Sequence, residues 1–315
     1  MIRFARGPIT DTRGIGRVTS ELLSYLETME VNKNVSSANN SKVYFYSSIH
    51  WCPDTLPHPC VVMVHDVIPM LFSNLFPDEI VSEWVERFKP IAQQADRIVT
   101  ISQSSAVDIA RKLDIPVERI EVIYNGVTKI PIREASKVVI PANPFLVYVG
   151  SNDKHKNIDV VLKALNDQNI QNVQLVLIGD NKGLRDKVKE VGIENRVHFL
   201  GRIDDGDMGW VISQADGLVF PSFYEGFGLP PLEAALLGTP SICSERPAMT
   251  EILKGAALFA NPEDPYEWSR SIEKIVSNKE FNTQLMKKAQ QAANNYSWHT
   301  TSQHLFEILE NSSQK

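Results

Sequence analysis

The sequence has few cysteines, no excess of basic residues and no long apolar run. Its 315 residues include only Cys52, Cys60 and Cys243, too few and too scattered for a disulfide framework or a zinc site. The formal net charge of −6 gives no overall basic excess of the kind that binds nucleic acid, although a local basic patch stays an alternative. No apolar run approaches the roughly 18 residues that span a bilayer. We therefore expect no nucleic-acid partner and, at most, peripheral membrane contact.

The N-terminus and the cysteines together predict the compartment. The N-terminus lacks the charged-then-apolar pattern of a secretory signal, and scattered cysteines suit a reducing environment. We expect a cytoplasmic protein, with any membrane association at the inner face of the cell membrane. The content of 43% hydrophobic and 22% charged residues is typical of a globular protein with substantial cores.

Short β-branched runs alternate with longer amphipathic segments along the chain. Near-continuous apolar strands between helices are typical of parallel sheets that helices cover on both faces, so the sequence predicts an α/β protein. The predicted strands are Lys42–Ser48, Cys60–Asp66, Arg97–Ser102, Ile120–Gly126, Phe145–Ser151, Val173–Asp180, Val197–Arg202, Gly217–Ser222 and Pro240–Ser244. The clearest helical patterns are Arg17–Glu30, Glu79–Gln94, Ile158–Leu165 and Tyr266–Val276.

This alternation pauses once, at Thr128–Pro144, a segment with three prolines and no long apolar period. The pause predicts two domains, an N-terminal one at 1–132 and a C-terminal one at 144–296, joined by a linker at 133–143. Each domain is large enough to hold its own core. Open parallel sheets bind ligands outside the carboxyl ends of their strands, so the polar residues at those ends are the first site candidates.

The stretch "FPSFYEGFGLPPLEAALLGTP" at 220–240 predicts an anion site after one of these strands. A buried strand runs into a bend, in which Gly226 and Gly228 allow positive φ, and then into a short helix with proline in its first turn. The bend exposes backbone N–H groups beside the positive end of the helix, which suits phosphate. Glu225 and Glu233 flank this helix start and offer acceptors for adjacent sugar hydroxyls. Alternatively, Glu225 is solvated and Glu233 only complements the helix dipole.

The same stretch resembles the E-x7-E signature, in its "EGFGLPxxEA" form, of the retaining nucleotide-sugar glycosyltransferases of family 4, which have the GT-B fold. Other segments resemble this family in the same order over nearly the whole chain. They are "GIGR" (14–17), "VHDVIP" (64–69), "ADRIVTIS" (95–102), "VIYNGV" (122–127), "YVGSNDKHKN" (148–157), "LIGD" (177–180), "VHFLGRI" (197–203) and "SW" (297–298). The resemblance implies two Rossmann-like domains whose parallel sheets face an interdomain cleft. It also implies that a helix at 297–315 returns to the N-terminal domain.

The resemblance further implies that the C-terminal domain binds the donor and the N-terminal domain the acceptor. Lys156 would neutralise the leaving diphosphate, Glu225 would hold sugar hydroxyls, and Glu233 would hold the ribose. The implied donor-binding set also contains Gly14, Gly16, Ser151, Arg202, Ile203, Gly226, Phe227, Gly228 and Leu229. The alternative for Lys156 is an ordinary surface lysine.

Two residues depart from the family pattern near the implied diphosphate site. Ser151 stands where the family often has an arginine, and His155 stands where the arginine of an "RK" pair is common. Arg202, Lys154 and His155 are the residues that could supply the missing charge.

In the N-terminal half, His65 follows an apolar strand, and the resemblance implies that it contacts the donor sugar through its ring or the adjoining backbone. The alternative is a structural histidine. Asp66 either orients His65 or caps the following turn. The loop at Gly14–Gly16 would close over the diphosphate and part of the acceptor; it is not a dinucleotide fingerprint, because no third glycine follows at the required place.

The acidic run Asp204–Asp207 superficially suggests a metal site, but its position before a helical segment favours capping. A GT-B enzyme of this kind needs no metal or other cofactor, because backbone amides and Lys156 take the charge on phosphate. The nucleoside-diphosphate sugar is then a substrate.

The implied function is transfer of a hexose, mannose or glucose, from a nucleoside-diphosphate sugar to a hydroxyl group with retention at the anomeric carbon. "HDVIP" together with "GIGR" resembles the enzymes that build bacterial surface polysaccharides, so the expected acceptor is a saccharide or lipid-linked saccharide. One rival is a sugar-nucleotide epimerase, which would need additional acid and base carboxylates. Another is a phosphorylase, which would need a pyridoxal phosphate lysine and a longer chain. A third is a non-catalytic nucleotide- or glycan-binding protein, which would be expected to lack Glu225, Lys156 or His65.

Overall fold

The computed structural model describes residues 2–4, 14–33, 43–142, 144–181 and 183–313. The chain divides into two compact units. The first unit comprises Met1–Gly126 and Tyr296–Lys315, and the second unit comprises Val127–Asn295. The segment 133–143, predicted as a linker, lies within the second unit, where Arg133 forms an ion pair with Asp204 over 2.7 Å.

The described part of the first unit contains a five-stranded parallel sheet. Its strands are β1 (Ile2–Phe4), β2 (Val43–Tyr46), β3 (Cys60–Met63), β4 (Arg97–Thr100) and β5 (Ile120–Val122). They are arranged in the order β1-β2-β3-β4-β5, with every neighbouring pair parallel. The helices up to residue 126 are α1 (Gly14–Lys33), α2 (Ile68–Leu71), α3 (Asp78–Glu83), α4 (Lys89–Gln94) and α5 (Gln103–Leu113).

The core of this unit forms around β3, whose four residues are fully buried. Because both faces of the strand are covered, its sequence "CVVM" is continuously apolar instead of alternating. A π-helical turn, Trp84–Phe88, joins α3 to α4 within the predicted helix 79–94. Its two aromatic rings lie 5.1 Å apart and pack into the same core.

The second unit contains a six-stranded parallel sheet. Its strands are β6 (Phe145–Val149), β7 (Gln174–Ile178), β8 (Val197–Gly201), β9 (Gly217–Phe220), β10 (Ser241–Ser244) and β11 (Leu258–Ala260). They are arranged in the order β11-β10-β9-β6-β7-β8. The helices are α6 (Ile158–Ala164), α7 (Leu184–Val191), α8 (Asp205–Gln214), α9 (Leu229–Leu236), α10 (Pro247–Ile252), α11 (Pro265–Ser277) and α12 (Lys279–Ala293).

The last helix, α13 (Trp298–Ser313), belongs to the first unit and packs against α1, β2 and β3. Thr301 Oγ1 in its first turn donates a hydrogen bond to the carbonyl oxygen of Tyr124 over 2.7 Å. The ring of Tyr296, just before the helix, lies 5.8 Å from that of Tyr124. These contacts hold the helix against the end of β5.

The prediction of an α/β protein with parallel sheets is confirmed, and each of the nine predicted strands overlaps an observed one. The short strands β1 and β11, of three residues each, were not predicted. No helix in the described ranges combines the length and the apolar character needed to cross a membrane.

Gly126→Ala is expected to destabilise the first unit. A Cβ at this position would overlap the backbone nitrogen of Trp298, so the segment after β5 and the start of α13 would have to separate. Overpacking of this kind lowers the free energy of unfolding by about 2 kcal/mol. Urea unfolding of the variant measures the change.

The matched control is Gly14→Ala. Gly14 is an exposed first residue of α1, and an added Cβ would meet no atom of the described residues within 4 Å. Its free energy of unfolding should change by less than about 0.5 kcal/mol. Equal stability of both variants would show that Gly126 and Trp298 are not in close contact.

Candidate functional site

The strand order of the second sheet reverses at its centre. From β6 the chain proceeds through β7 and β8 on one side, while β9, β10 and β11 extend on the other, so β6 and β9 are neighbours. Such a switch point leaves a crevice outside the carboxyl ends of the two strands, where ligands of open parallel sheets bind. Lys156 lies in the segment after β6, and Glu225 lies in the segment after β9. The fold therefore brings these two predicted site residues to the same point of the sheet.

Lys156 and Glu225 form an ion pair there. Lys156 Nζ donates to Glu225 Oε1 over 2.8 Å, and Ser222 Oγ donates to the same oxygen over 2.6 Å. The side chains of Lys156 and Glu225 are 24% and 13% exposed, so Glu225 is not the solvated carboxylate of the alternative interpretation. Because the pair is largely shielded from water, removal of one partner would leave the other charge poorly compensated.

The turn that carries Lys156, residues 154–156, is also held by backbone contacts. The N–H of Phe223, after β9, donates to the carbonyl oxygen of His155 over 2.8 Å. Asn157 follows the turn with a φ of 53°, and its Nδ2 donates to the carbonyl oxygen of Pro221 over 3.1 Å. Both contacts hold the turn to the segment that follows β9, independently of the ion pair.

Ser151, the first of the two departures from the family pattern, is engaged by a carboxylate. Its Oγ donates to Asp153 Oδ2 over 2.5 Å, and its carbonyl oxygen accepts a hydrogen bond from Tyr148 over 2.6 Å. Tyr148 is 1% exposed, and burial, followed by the charges of Glu225 and Asp153, raises the pKa of its phenol, which therefore stays a donor. Ser151 brings no positive charge to this segment.

The predicted glycine-rich bend leads from β9 into α9. Gly226, Phe227 and Gly228 are buried, and Leu229 is the first residue of the helix. Gly228 has a φ of 92°, and a Cβ there would lie 2.5 Å from Met249 Cε. The positive φ therefore favours glycine at this position, and any larger residue would also displace the end of the Met249 side chain. The bend ends at the positive end of α9, as the sequence predicts.

Glu233 is the fifth residue of α9 and is 6% exposed. Burial of a carboxylate is costly unless hydrogen bonds or charges compensate it. A residue that only complemented the helix dipole would be expected at the surface, near the first turn. The burial of Glu233 is instead typical of a side chain with a specific task.

A cavity of about 910 Å³ opens at the carboxyl ends of β7 and β8, beside the switch point. Arg202 lines this cavity, and Ile203 follows it as a half-buried residue. On the cavity wall, the guanidinium of Arg185 lies over the ring of Phe199, 4.3 Å from its centre. The volume falls within the range of small-molecule sites.

The acidic run at 204–207 caps α8, which confirms the capping interpretation. Asp204 Oδ1 accepts a hydrogen bond from the N–H of Asp207 over 3.0 Å. The guanidinium of Arg133 pairs with both carboxylates, over 2.7 Å to Asp204 and 2.8 Å to Asp207. These carboxylates are thus occupied by structural partners.

His65, in the first unit, lies just beyond the carboxyl end of β3 and is 8% exposed. Its Nε2–H donates to the carbonyl oxygen of Ser47 over 3.0 Å. Burial, partly offset by this hydrogen bond and reinforced by the nearby His50, lowers the pKa of His65 to about 4, so its ring is neutral at pH 7. Asp66 Oδ1 accepts a hydrogen bond from the N–H of Ile68 over 3.1 Å, at the start of α2.

Gly14 and Gly16 lie in the first turn of α1, Gly14 exposed and Gly16 buried. Residues 5–13, which precede them, lie outside the described part of the chain. The structure thus places both glycines at a helix start in the first unit, while Lys156, Glu225 and Glu233 lie in the second.

A second group of titratable side chains in the first unit has a structural role. Asp96 Oδ2 accepts hydrogen bonds from His58 Nδ1 and from the N–H of Cys60, each over 2.8 Å. The three residues bring potential metal ligands within 4.8 Å of one another. Burial, the largest influence, raises the pKa of Cys60 to about 11, so its sulfur is a thiol at pH 7.

Two polar residues at the switch point were not predicted to act there. One is Ser222, which bonds Glu225; the other is Arg246, whose Nε donates to the carbonyl oxygen of Phe223 over 3.2 Å. Ser222 stands at a strand end that the sequence identifies, but serine is common at such ends. Arg246 follows β10 without any motif to mark it.

Two family models match the chain. The model described as "Glycosyl transferases group 1" matches residues 133–292, and the model described as "Glycosyltransferase Family 4" matches residues 38–129. The first match lies within the second unit and contains the ion pair of Lys156 and Glu225 together with Glu233.

Several curated proteins are similar in sequence. O-antigen chain mannosyltransferase RfbU of Salmonella typhimurium is 30% identical over 68% of this chain, and O-antigen chain mannosyltransferase B of Escherichia coli is 28% identical over 66%. In both comparisons the matched region spans 60% of the relative's own length. Serotype-specific mannosyltransferase WbdA of Escherichia coli is 27% identical over 79% of this chain and 33% of its own.

Solved structures share the fold. Anabaena Alr3699/HepE in complex with UDP-glucose superposes with a TM-score of 0.74 and 18% identity, over 98% of this chain and 99% of that one. WaaG, a glycosyltransferase involved in lipopolysaccharide biosynthesis, gives a TM-score of 0.70 and 12% identity over the same shares. With the two parallel sheets, these likenesses show that the predicted GT-B fold is correct.

His65 is expected to make the stability of the first unit depend on pH. Its pKa is about 4 in the folded protein and 6.5 when exposed, so folding favours the neutral ring. The contribution of neutral His65 to the free energy of unfolding is therefore fully present above pH 6.5. It is lost as the pH drops toward about 4, and the total loss for a pKa shift of this size is about 3 kcal/mol. Urea unfolding at a series of pH values measures this loss.

His65→Gln should flatten the profile in this window, because glutamine does not titrate. His304→Gln, which removes an exposed imidazole of α13 in the same unit, is the control and should keep the wild-type profile. A wild-type free energy of unfolding that stays constant between pH 6.5 and about pH 4 would contradict the neutral, buried state of His65.

Proposed function

The chain belongs to the family 4 glycosyltransferases with the GT-B fold, and from this premise we propose that it transfers a hexose from a nucleoside-diphosphate sugar to a hydroxyl acceptor. We further propose that the reaction retains the anomeric configuration and needs no metal ion. The proposed setting is the synthesis of a bacterial surface polysaccharide, with a saccharide or lipid-linked saccharide as acceptor.

The ion pair of Lys156 and Glu225 is the observation that carries this proposal. It lies at the strand-order switch of the second unit, after two adjacent strands and just before the start of α9. A lysine beside a bend of backbone N–H groups suits a diphosphate, and a carboxylate suits sugar hydroxyls. One small region thus offers complementary groups for the two parts of a nucleotide sugar that take part in the reaction.

Mannose is the sugar that we propose first, because RfbU, mannosyltransferase B and WbdA are all named as mannosyltransferases. GDP-mannose is accordingly the first donor to test. UDP-glucose is the second, because HepE was solved in complex with it.

In the proposed mechanism, the bond between the anomeric carbon and the diphosphate oxygen breaks while the acceptor oxygen bonds to the same face of that carbon. The acceptor's proton passes to the departing phosphate oxygen. No protein nucleophile is required, so catalysis rests on positioning and on stabilising the charge of the leaving group.

Each residue at the switch point then has a proposed task. Lys156 neutralises the diphosphate, assisted by the backbone amides of 226–229, and Glu225 holds hydroxyls of the sugar. Glu233 accepts hydrogen bonds from the ribose. In the first unit, the proposed role of His65 is contact with the transferred sugar through its neutral ring or its backbone.

The direct test is a thermal-shift panel with GDP-mannose, UDP-glucose and an ADP-sugar, followed by a transfer assay with the best binder. Stabilisation by a nucleotide sugar and formation of a glycoside with the α or β configuration of the donor would support the proposal. Binding without transfer to any saccharide acceptor would favour the non-catalytic alternative, and interconversion of two donor sugars would favour an epimerase.

Lys156→Ala is expected to lower kcat by about 10²- to 10³-fold, with a smaller effect on donor affinity, because the lysine meets a charge that grows in the transition state. Steady-state kinetics measures both effects. The matched control is Lys187→Ala, which removes a lysine paired with Asp159 over 2.6 Å in the same unit. A near-normal kcat for Lys156→Ala would exclude this role.

Glu233→Gln is expected to weaken binding of the preferred nucleotide sugar by about 1–3 kcal/mol, because the ribose loses a charged acceptor. Calorimetric titration measures the affinity, and the melting temperature shows whether the variant is folded. Glu273→Gln, which changes an exposed glutamate of α11, is the control. Unchanged affinity in a folded Glu233→Gln protein would remove this residue from the site.

A further inference from the structure

His155 occupies the centre of the three-residue turn that carries Lys156. The turn is held beside the segment after β9 by the hydrogen bond from Phe223 to the His155 carbonyl oxygen, over 2.8 Å. The histidine is half-buried. Its backbone is therefore fixed at the switch point, beside Lys156.

The charges around this turn nearly cancel in the structure. The positive charge of Lys156 is offset by Glu225, 2.8 Å away, and Ser151 is bonded to the carboxylate of Asp153. Lys154 is exposed to solvent on the same turn. A diphosphate placed here would bring two negative charges to a region with little net positive charge.

The imidazole of His155 is a titratable group that interacts with the charges of this turn and can change their balance. Lys156, Glu225 and Asp153 are the charged groups that act on it, and Arg246 approaches the same segment through its bond to Phe223. Burial, and then the charge of Lys156, lowers the pKa of His155 from its usual value, so the ring is neutral at pH 7 in the free protein. Two negative charges beside the ring would favour its protonated form.

We propose that His155 takes up a proton from solvent when a nucleoside-diphosphate sugar binds, and that its imidazolium then supplies the second positive charge on the diphosphate. This inference rests on the proposed function, since it concerns the donor site of the same reaction. It assigns to a titrating histidine the charge that the resembled family often obtains from an arginine. Donor binding in this protein is therefore linked to pH.

The direction of the linkage follows from the two states of the ring. Below the pKa that His155 has in the free protein, the ring is already protonated and the affinity for the donor is highest. Affinity falls as the pH rises from that value to the pKa of the complex and is constant above it. A difference of one unit between the two values changes the dissociation constant about tenfold.

Calorimetric titration with GDP-mannose and with UDP-glucose, between about pH 5.5 and about pH 8.5, tests the proposal. These probes are chosen over free nucleoside diphosphates, whose terminal phosphate titrates in the same range. Repeating each titration in two buffers of different ionisation enthalpy gives the number of protons taken up. For whichever sugar nucleotide binds, we expect uptake near neutral pH and an affinity about tenfold weaker at the upper end of the range.

Two substitutions separate the charge of His155 from its shape. His155→Arg should bind the donor with no proton uptake and with an affinity that no longer falls with pH. His155→Gln should bind weakly at all pH values. His198→Gln is the control, because it removes another half-buried imidazole of the second unit, bonded to Gln174 Oε1 over 2.7 Å, and it should keep the wild-type uptake.

The outcomes also distinguish the two proposals. Donor binding by the wild-type protein without proton uptake, or uptake that persists in His155→Arg, would overturn the role of His155 and leave the proposed function intact. If no sugar nucleotide of the thermal-shift panel, the ADP-sugar included, binds at any pH while the protein is folded, both proposals fail.

Discussion

The ion pair between Lys156 and Glu225 joins the two halves of the second sheet at the point where the strand order reverses. Neither residue would reach the other unless β6 and β9 were neighbours, and the turn and the bend that carry them are fixed by separate backbone contacts. The ion pair holds opposite charges together in the absence of substrate. A bound diphosphate would compete with Glu225 for Lys156. The charge of Lys156 would then be shared, so uncharged groups nearby, such as the backbone N–H groups of the bend, would also have to contribute to donor binding.

Carboxylates that look alike in the sequence differ in their burial and in their hydrogen-bond and ion-pair partners. Asp204 and Asp207 are bound to Arg133 and to a helix start, where they stabilise local structure. Glu225 and Glu233 lie largely out of solvent beside a bend whose positive φ favours glycine. A buried carboxylate has a high desolvation cost, which is tolerated where a ligand or a cation compensates it.

The fold class could be predicted from sequence, because long apolar strands are local patterns. The bend around Gly228 and the spacing of Glu225 and Glu233 are local patterns too, and they mark the candidate site, whose role stays a prediction. The strands β1 and β11 escaped prediction because three residues are too few to show a period. Ser222 and Arg246 escaped as site residues because their roles depend on which strands are neighbours, which no local pattern contains. The hydrogen bond from Ser151 to Asp153 could not be predicted either, because it depends on side-chain geometry.

The first unit is built from two stretches of chain, since α13 returns to it after the whole of Val127–Asn295. On the ribosome, the N-terminal strands emerge long before the helix that covers β2 and β3, whereas the second unit emerges as one continuous stretch. The half of the protein that is synthesised first is therefore the half that completes its folding last. Until then its apolar surface is open to chaperones and to aggregation.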